Sequence, residues 1–182
     1  MIDDICKLTR KTMTEWENAF GYAPYSAACK IDEAMLTWII QLTDCLKIWT
    51  GKGATMTDGE LILAKTNLGA LIENWLKFFY CVYYEDYLRN PLTKNNGYIV
   101  EPNNMRFEQL KIFSRGRLWE QGHSWDIWVE KMQQHRNAIH AFNFRDIGTS
   151  IDFLKNVDEF YSFIELIDKR LPDSPNSARV YY

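Results

Sequence analysis

Apolar residues recur at every third or fourth position through most of this chain, and no stretch alternates with period two over a convincing length. The longest such run extends from Thr57 to Leu88. It opens on Thr57-Asp58-Gly59-Glu60, where a threonine hydroxyl and a glutamate three residues later can satisfy each other's free backbone amides. Behind that box Leu61, Ala64, Leu68, Leu71, Trp75, Phe79 and Val82 fall on one stripe, widened by Ile72, Leu76 and Phe78. The pattern predicts a helix of about nine turns, set centrally with neighbours on two sides. It ends at Asn90-Pro91, because a proline pushes the residue before it out of the helical region. Gly69 in its interior costs about 1 kcal/mol in helix propensity relative to alanine, so a close crossing by another helix is expected there.

The same spacing predicts a weakly patterned helix over Ile2 to Phe20, stopping before Gly21 and Pro24. A second runs from Ile31 to Ile48, with Ile31, Met35, Trp38, Ile39, Leu46 and Trp49 on its stripe and Gly51-Lys52-Gly53 closing it. Residues 91–104, rich in Pro, Asn and Gly, read as a connecting loop before a short helix from Met105 to Phe113. From Ser124 a further stripe carries Trp125, Trp128, Met132, His135, Ile139 and Phe142, and Gly148 ends it. The last helix, Thr149 to Leu171, shows Ile151, Leu154, Val157, Phe160, Phe163 or Ile164, and Ile167, and stops at Pro172. Residues 172–182 are polar and turn-rich and are predicted to be a flexible tail. These elements imply an all-α fold, a single-domain helical bundle of five to six helices over residues 1–182, with the weak helix in 1–24.

Composition agrees with one core. A chain of 182 residues, 47% hydrophobic and 15% aromatic, can bury roughly 70% of the surface its unfolded form exposes. Its net charge of −3 supplies no overall attraction to nucleic acid, so any such binding must be local. Cys6, Cys29, Cys45 and Cys81 form no CxxC pair and have no histidine at zinc-ligand spacing. They read as core thiols of a reducing compartment, with no metal site implied. The opening MIDDICKLTRK puts acids where a secretory signal needs a basic patch. No run reaches the ~18 apolar residues a membrane span requires, and no glycine-rich phosphate loop implies a cofactor. The expected location is the cytoplasm.

The candidate chemistry lies in QQHRNAIHAF, residues 133–142. On a continuous helix, positions four apart lie about 40° apart around the axis, so Arg136 and His140 would point the same way. A histidine titrates near neutrality and can take the proton from a ribose 2′-hydroxyl or return one to the leaving oxygen. An arginine stays charged and can fork onto phosphate oxygens as negative charge builds. Asn137 would orient the group, and cleavage of RNA by this route calls for no metal. One pair is half a site, since general acid and general base are two jobs; a symmetric dimer would supply both.

Other residues could support it. Glu73 and Lys77, four apart on the central helix, form an exposed ion pair or else face the Arg136 helix or a second subunit, with Glu73 orienting Arg136 or His140. His135 falls on the apolar stripe and reads as a satisfied core histidine, while His123 precedes the helix without a partner. Arg115 and Arg117, with Lys111 and Arg145, form a local basic group that could attract phosphate. Phe78, Phe79, Tyr80, Tyr83, Tyr84 and Tyr87 exceed what one face can hide, so some are expected at a contact with another chain or with bases.

The run Gly59 to Glu73 followed by Arg136-Asn137-Ala138-Ile139-His140 resembles the HEPN superfamily of small helical bundles, over roughly residues 30–170 as a helix pattern. The resemblance implies a metal-independent ribonuclease of toxin–antitoxin, CRISPR or anti-phage systems that dimerises to build a composite site, or a non-catalytic relative that binds a nucleotide or protein partner. In that family four to six residues separate the arginine from the histidine; here there are three. On a helix one residue fewer turns the histidine by about 100°. Carried over, the resemblance gives Arg136, Asn137 and His140 the catalytic roles, Glu73, Lys77 and His135 supporting ones, and RNA, an antitoxin or a defence protein as partner.

Overall fold

The computed structural model describes residues 1–142 and 144–174. Its helices are α1 Ile2–Trp16, α2 Tyr25–Asp32, α3 Leu36–Asp44, α4 Leu46–Lys52, α5 Asp58–Val82, α6 Tyr84–Arg89, α7 Phe107–Ser114, α8 Ser124–Arg136 and α9 Ser150–Asp168, with short 3₁₀ turns between some of them. The expected all-α bundle is observed, cut into more and shorter pieces than five or six. Among the described residues no helix is long and apolar enough to cross a membrane.

Helix α5 is the hub, packing against α2, α3, α4, α7, α8 and α9. Its start follows the predicted capping box: the Glu60 amide donates to Thr57 Oγ1 at 3.4 Å, and the Thr57 amide donates to Glu60 Oε2 at 3.0 Å. Leu61, Ala64, Leu68, Leu71, Ile72, Trp75, Leu76 and Phe78 are all buried, more than one stripe's width, as a helix surrounded by neighbours requires. Phe153, Phe160 and Phe163 of α9 meet this core with no exposed surface. Each such ring withdrawn from water contributes about 1.5–3 kcal/mol. Trp125, Trp128 and Phe163 form a ring cluster with centroids 5.3–5.7 Å apart, which fastens α8 to α9.

Several boundaries depart from the sequence reading. The long helix breaks at Tyr83 (φ −92°, ψ 35°), so 84–89 is a separate turn-and-a-half. The expected single helix over Ile31 to Ile48 is three pieces, divided between Asp32 and Leu36 and again at Cys45. That division swings Met35 and Trp38 out to solvent, 58% and 61% exposed, although the periodicity had placed them inside. In α9 the buried edge is Phe153, and Ile151 is exposed. Helix α8 stops at Arg136, so Ile139 and Phe142 leave the stripe and stand exposed. Its N-cap is His123, whose Nδ1 accepts from the Trp125 amide at 3.2 Å.

Cys6 and Cys81 are buried thiols, whereas Cys29 and Cys45 are only half-buried. Burial pushes the Cys81 thiol up to about 12 and that of Cys6 to about 11, so neither is a nucleophile at neutral pH. Of the predicted tail, Asp173 is tied in by Tyr22, whose hydroxyl donates to its carbonyl at 2.8 Å. Residues 175–182 lie outside the described residues.

Candidate functional site

The site is organised by the closeness of α5 and α8. A Cβ built on Gly69 would stand 2.6 Å from Arg136 Cβ and 3.3 Å from the Met132 carbonyl, so only glycine lets the two backbones approach this far. The crossing expected at Gly69 is therefore present, and Arg136 is the residue it brings in. One turn further along α5, on the same face, stands Glu73.

Glu73 is 8% exposed and has a cation at each oxygen. Lys77 Nζ lies 2.8 Å from Oε1, and Arg136 Nη2 lies 3.1 Å from Oε2. The second contact is an ion pair without hydrogen-bond alignment: Oε2 is buried and accepts no hydrogen bond. Two cations around one carboxylate leave this corner with a surplus positive charge. It opens into a cleft of about 600 Å³, whose wall also includes Asn137, Gln133, Asn103, Arg106 and Gln109. Asn137 follows the last residue of α8, and its amide donates back to the Gln133 and His135 carbonyls.

The cleft does not include His140. Beyond Arg136 the chain tightens into a 3₁₀ turn over Asn137–Ile139, and His140 follows it at φ −86°, ψ 79°. Winding at three residues per turn carries residue 140 roughly a third of a turn around from residue 136. The side-by-side projection expected from a continuous helix is thus not formed. His140 is exposed, its amide donating to the Asn137 carbonyl at 3.2 Å.

His135 points elsewhere again. It is 4% exposed and its Nδ1 lies 3.1 Å from Nζ of Lys65, itself 2% exposed. With Lys65 donating, Nδ1 is the acceptor and the ring proton resides on Nε2. Burial, with the Lys65 ammonium beside it, lowers the histidine to about 4. Burial, followed by repulsion from Lys131, lowers Lys65 to about 8. Within one chain His135 is a sealed core residue, as its place on the stripe predicted.

The three arginines expected to draw phosphate do not converge on the cleft. Arg115 Nε bonds Asp126 Oδ1 at 2.8 Å, and Asp126 also accepts from the Gly122 amide, so this pair fastens the start of α8. Arg117 lies over the Phe113 ring at 3.8 Å, and Arg145 donates to Gln134. Conversely Asn103, Arg106 and Gln109 come from a stretch read as loop and short helix. Nothing in their own sequence marks them, because only the packing of the segment before α7 against α5 brings them to the cleft.

Among the described residues no group of three His, Cys, Asp or Glu side chains is placed to hold a metal ion. What the cleft offers is guanidinium, ammonium and amide groups over the buried carboxylate of Glu73, with the Glu108 carboxylate, bridged to Lys111 at 3.0 Å, also at its wall; Lys77, Arg106 and Arg136 outnumber the two acids, a set suited to an anionic oxygen. Comparison with protein-family models, with curated proteins and with solved structures finds no match to this chain.

Proposed function

We propose that this chain is a HEPN-like RNA-binding protein of toxin or defence type, whose cleft grips a phosphodiester and whose cleavage chemistry is completed by dimerisation. The observation that carries the reading is the Lys77–Glu73–Arg136 cluster at the mouth of a polar cleft. Glu73 fixes the guanidinium of Arg136 in place, so little side-chain freedom is lost when phosphate oxygens arrive. The surplus positive charge provides the local attraction that a net charge of −3 denies to the whole surface.

Proton transfer falls to His140. Its exposure on the turn after Arg136 suits a group that serves the cleft of a second copy, and two copies would supply an acid and a base. The test is degradation of RNA by the purified chain in the presence of a chelator. His140→Ala and Arg136→Ala are each expected to lower the rate by about a hundredfold or more, with a dimer in light scattering. Undiminished cleavage in either variant would overturn the mechanism.

A second reading, a non-catalytic binding module, is favoured by the neutralisation of Arg136 by Glu73 and by the position of His140 outside the cleft. Its signature is salt-sensitive RNA binding, lost in Arg136→Ala, with the RNA left intact by the unaltered protein.

A further inference from the structure

A second cavity, of about 350 Å³, opens where α5 breaks into α6, and it shares no lining residue with the polar cleft. Its walls are rings: Phe79, Tyr80, Tyr83, Tyr87 and Phe113. Phe79 and Tyr83 lie 4.9 Å apart, Tyr80 and Phe113 5.1 Å, and Tyr87 and Phe113 5.2 Å, most of them edge to face. The three tyrosine hydroxyls are already used. Tyr80 bonds Ser114 Oγ, Tyr83 donates to the Arg170 carbonyl and Tyr87 to the Val100 carbonyl. Tyr80, Tyr87 and Phe113 are buried and form the floor, so it is the half-buried Phe79 and Tyr83 that offer a guest ring surface, and not their oxygens.

The rim is polar and cationic. Arg117 lines the cavity and lies over the Phe113 ring at 3.8 Å, with its Nη1 donating to the Phe113 carbonyl at 2.9 Å. Arg170 lies beside it, Nη1 donating to the Leu118 carbonyl at 2.9 Å and to that of Arg117 at 3.3 Å. Among the described residues neither guanidinium has a carboxylate partner, so both keep their charge for something else. Asp86 also reaches the rim, but it is already bridged to Arg89 at 2.9 Å. An aromatic cage can also take a quaternary ammonium ion. Here the unpaired rim charge is positive, which repels that guest and attracts an anion.

We propose that this cavity is a nucleotide site: a base stacks on the half-buried rings of Phe79 and Tyr83, and its phosphate is taken by Arg117 at the rim, with Arg170 beside it. Asn90, also at the rim, is placed to hydrogen-bond the edge of the base. The volume falls in the range of small-ligand pockets, and stacking on aromatic side chains accepts any base, so the site would discriminate weakly among them. The guest is either a free mononucleotide or the phosphorylated end of an RNA strand. The site stands independently of the cleft beside Arg136.

Titration calorimetry with AMP, adenosine, ribose 5-phosphate and choline tests this on the full chain. AMP is expected to bind most tightly. Arg117→Gln or Arg170→Gln should weaken AMP by about tenfold and leave adenosine unchanged, while Phe79→Leu should weaken both. Arg136→Gln should alter neither, which separates this site from the cleft. A 5′-phosphorylated oligonucleotide that displaces AMP when its unphosphorylated counterpart does not would identify the guest as an RNA end; failure of both to displace it would leave the free nucleotide. Ribose 5-phosphate binding as well as AMP, choline binding in preference, AMP binding indifferent to all three variants, or no AMP binding at millimolar concentration would overturn the proposal.

Discussion

Lys65 meets His135 and Glu73 meets Arg136 across the same two helices, two turns apart on α5, although His135 and Arg136 are consecutive residues. The first pair is sealed, 2% and 4% exposed, and contains no acid. Low dielectric there acts on two groups that would each carry a positive charge, and both are driven toward the neutral form. The second pair is of opposite sign and lines a cleft that a ligand can reach. A difference of one position on α8 decides whether a polar side chain becomes part of the core or part of a surface site.

The largest expected effect comes from the sealed pair. His135 has a folded value near 4 against an ordinary 6.5, so between those pH values the unfolded chain binds a proton that the folded chain refuses. Stability contributed by neutral His135 is complete above about pH 6.5 and falls as the pH drops toward 4, by about 3 kcal/mol in all. Urea unfolding from pH 4 to 7 should show this arm in the unaltered protein and not in His135→Leu. Parallel curves would mean that the imidazole is hydrated. Lys65→Met removes one of the causes, so the His135 titration seen by NMR should move up toward its ordinary value.

Next is the approach that positions Arg136. Gly69→Leu forces side-chain atoms into the space held by Arg136 Cβ and the Met132 carbonyl, and overpacking of this kind should cost about 2 kcal/mol despite the gain in helix propensity. RNA binding should fall with it, because Arg136 is displaced from its place in the cleft wall. Unchanged affinity would show that the cleft does not depend on this crossing.

Glu73→Gln should act in the opposite sense on the two properties. Its cation partners are partly exposed, so the loss in stability should stay below about 1 kcal/mol. Removing the carboxylate leaves the cleft more positive, and RNA should bind more tightly with a steeper dependence on salt. Weaker binding instead would mean that positioning of Arg136 outweighs its charge. Smallest of all, His140→Ala should leave the melting temperature within about a degree, since the residue is exposed.

Much of the fold was legible. The Thr57–Glu60 box, the breadth of the α5 stripe and the oddity of Gly69 in a helix interior led to a buried central helix with a close crossing, and all three are present. Glu73 beside Arg136 was one of the alternatives the i, i+4 pair with Lys77 left open. The Arg136–His140 alignment failed because periodicity reports which residues are apolar and says little about where a helix stops. Ile139 and Phe142 continued the stripe in sequence, yet the backbone had already tightened at Asn137.

By itself the sequence determined that this chain is helical, where a capping box starts α5, and which residues of its apolar stripe turn inward, because those follow from local hydrogen bonding and from periodic burial within one element. Only the tertiary structure decided that Asn103 and Arg106 share a cleft with Arg136, that Lys65 shelters His135, and that Arg117, with Arg170 bonded to its carbonyl, borders an aromatic cavity. Each of those meetings joins residues far apart along the chain, and packing of whole helices sets them where no local pattern can.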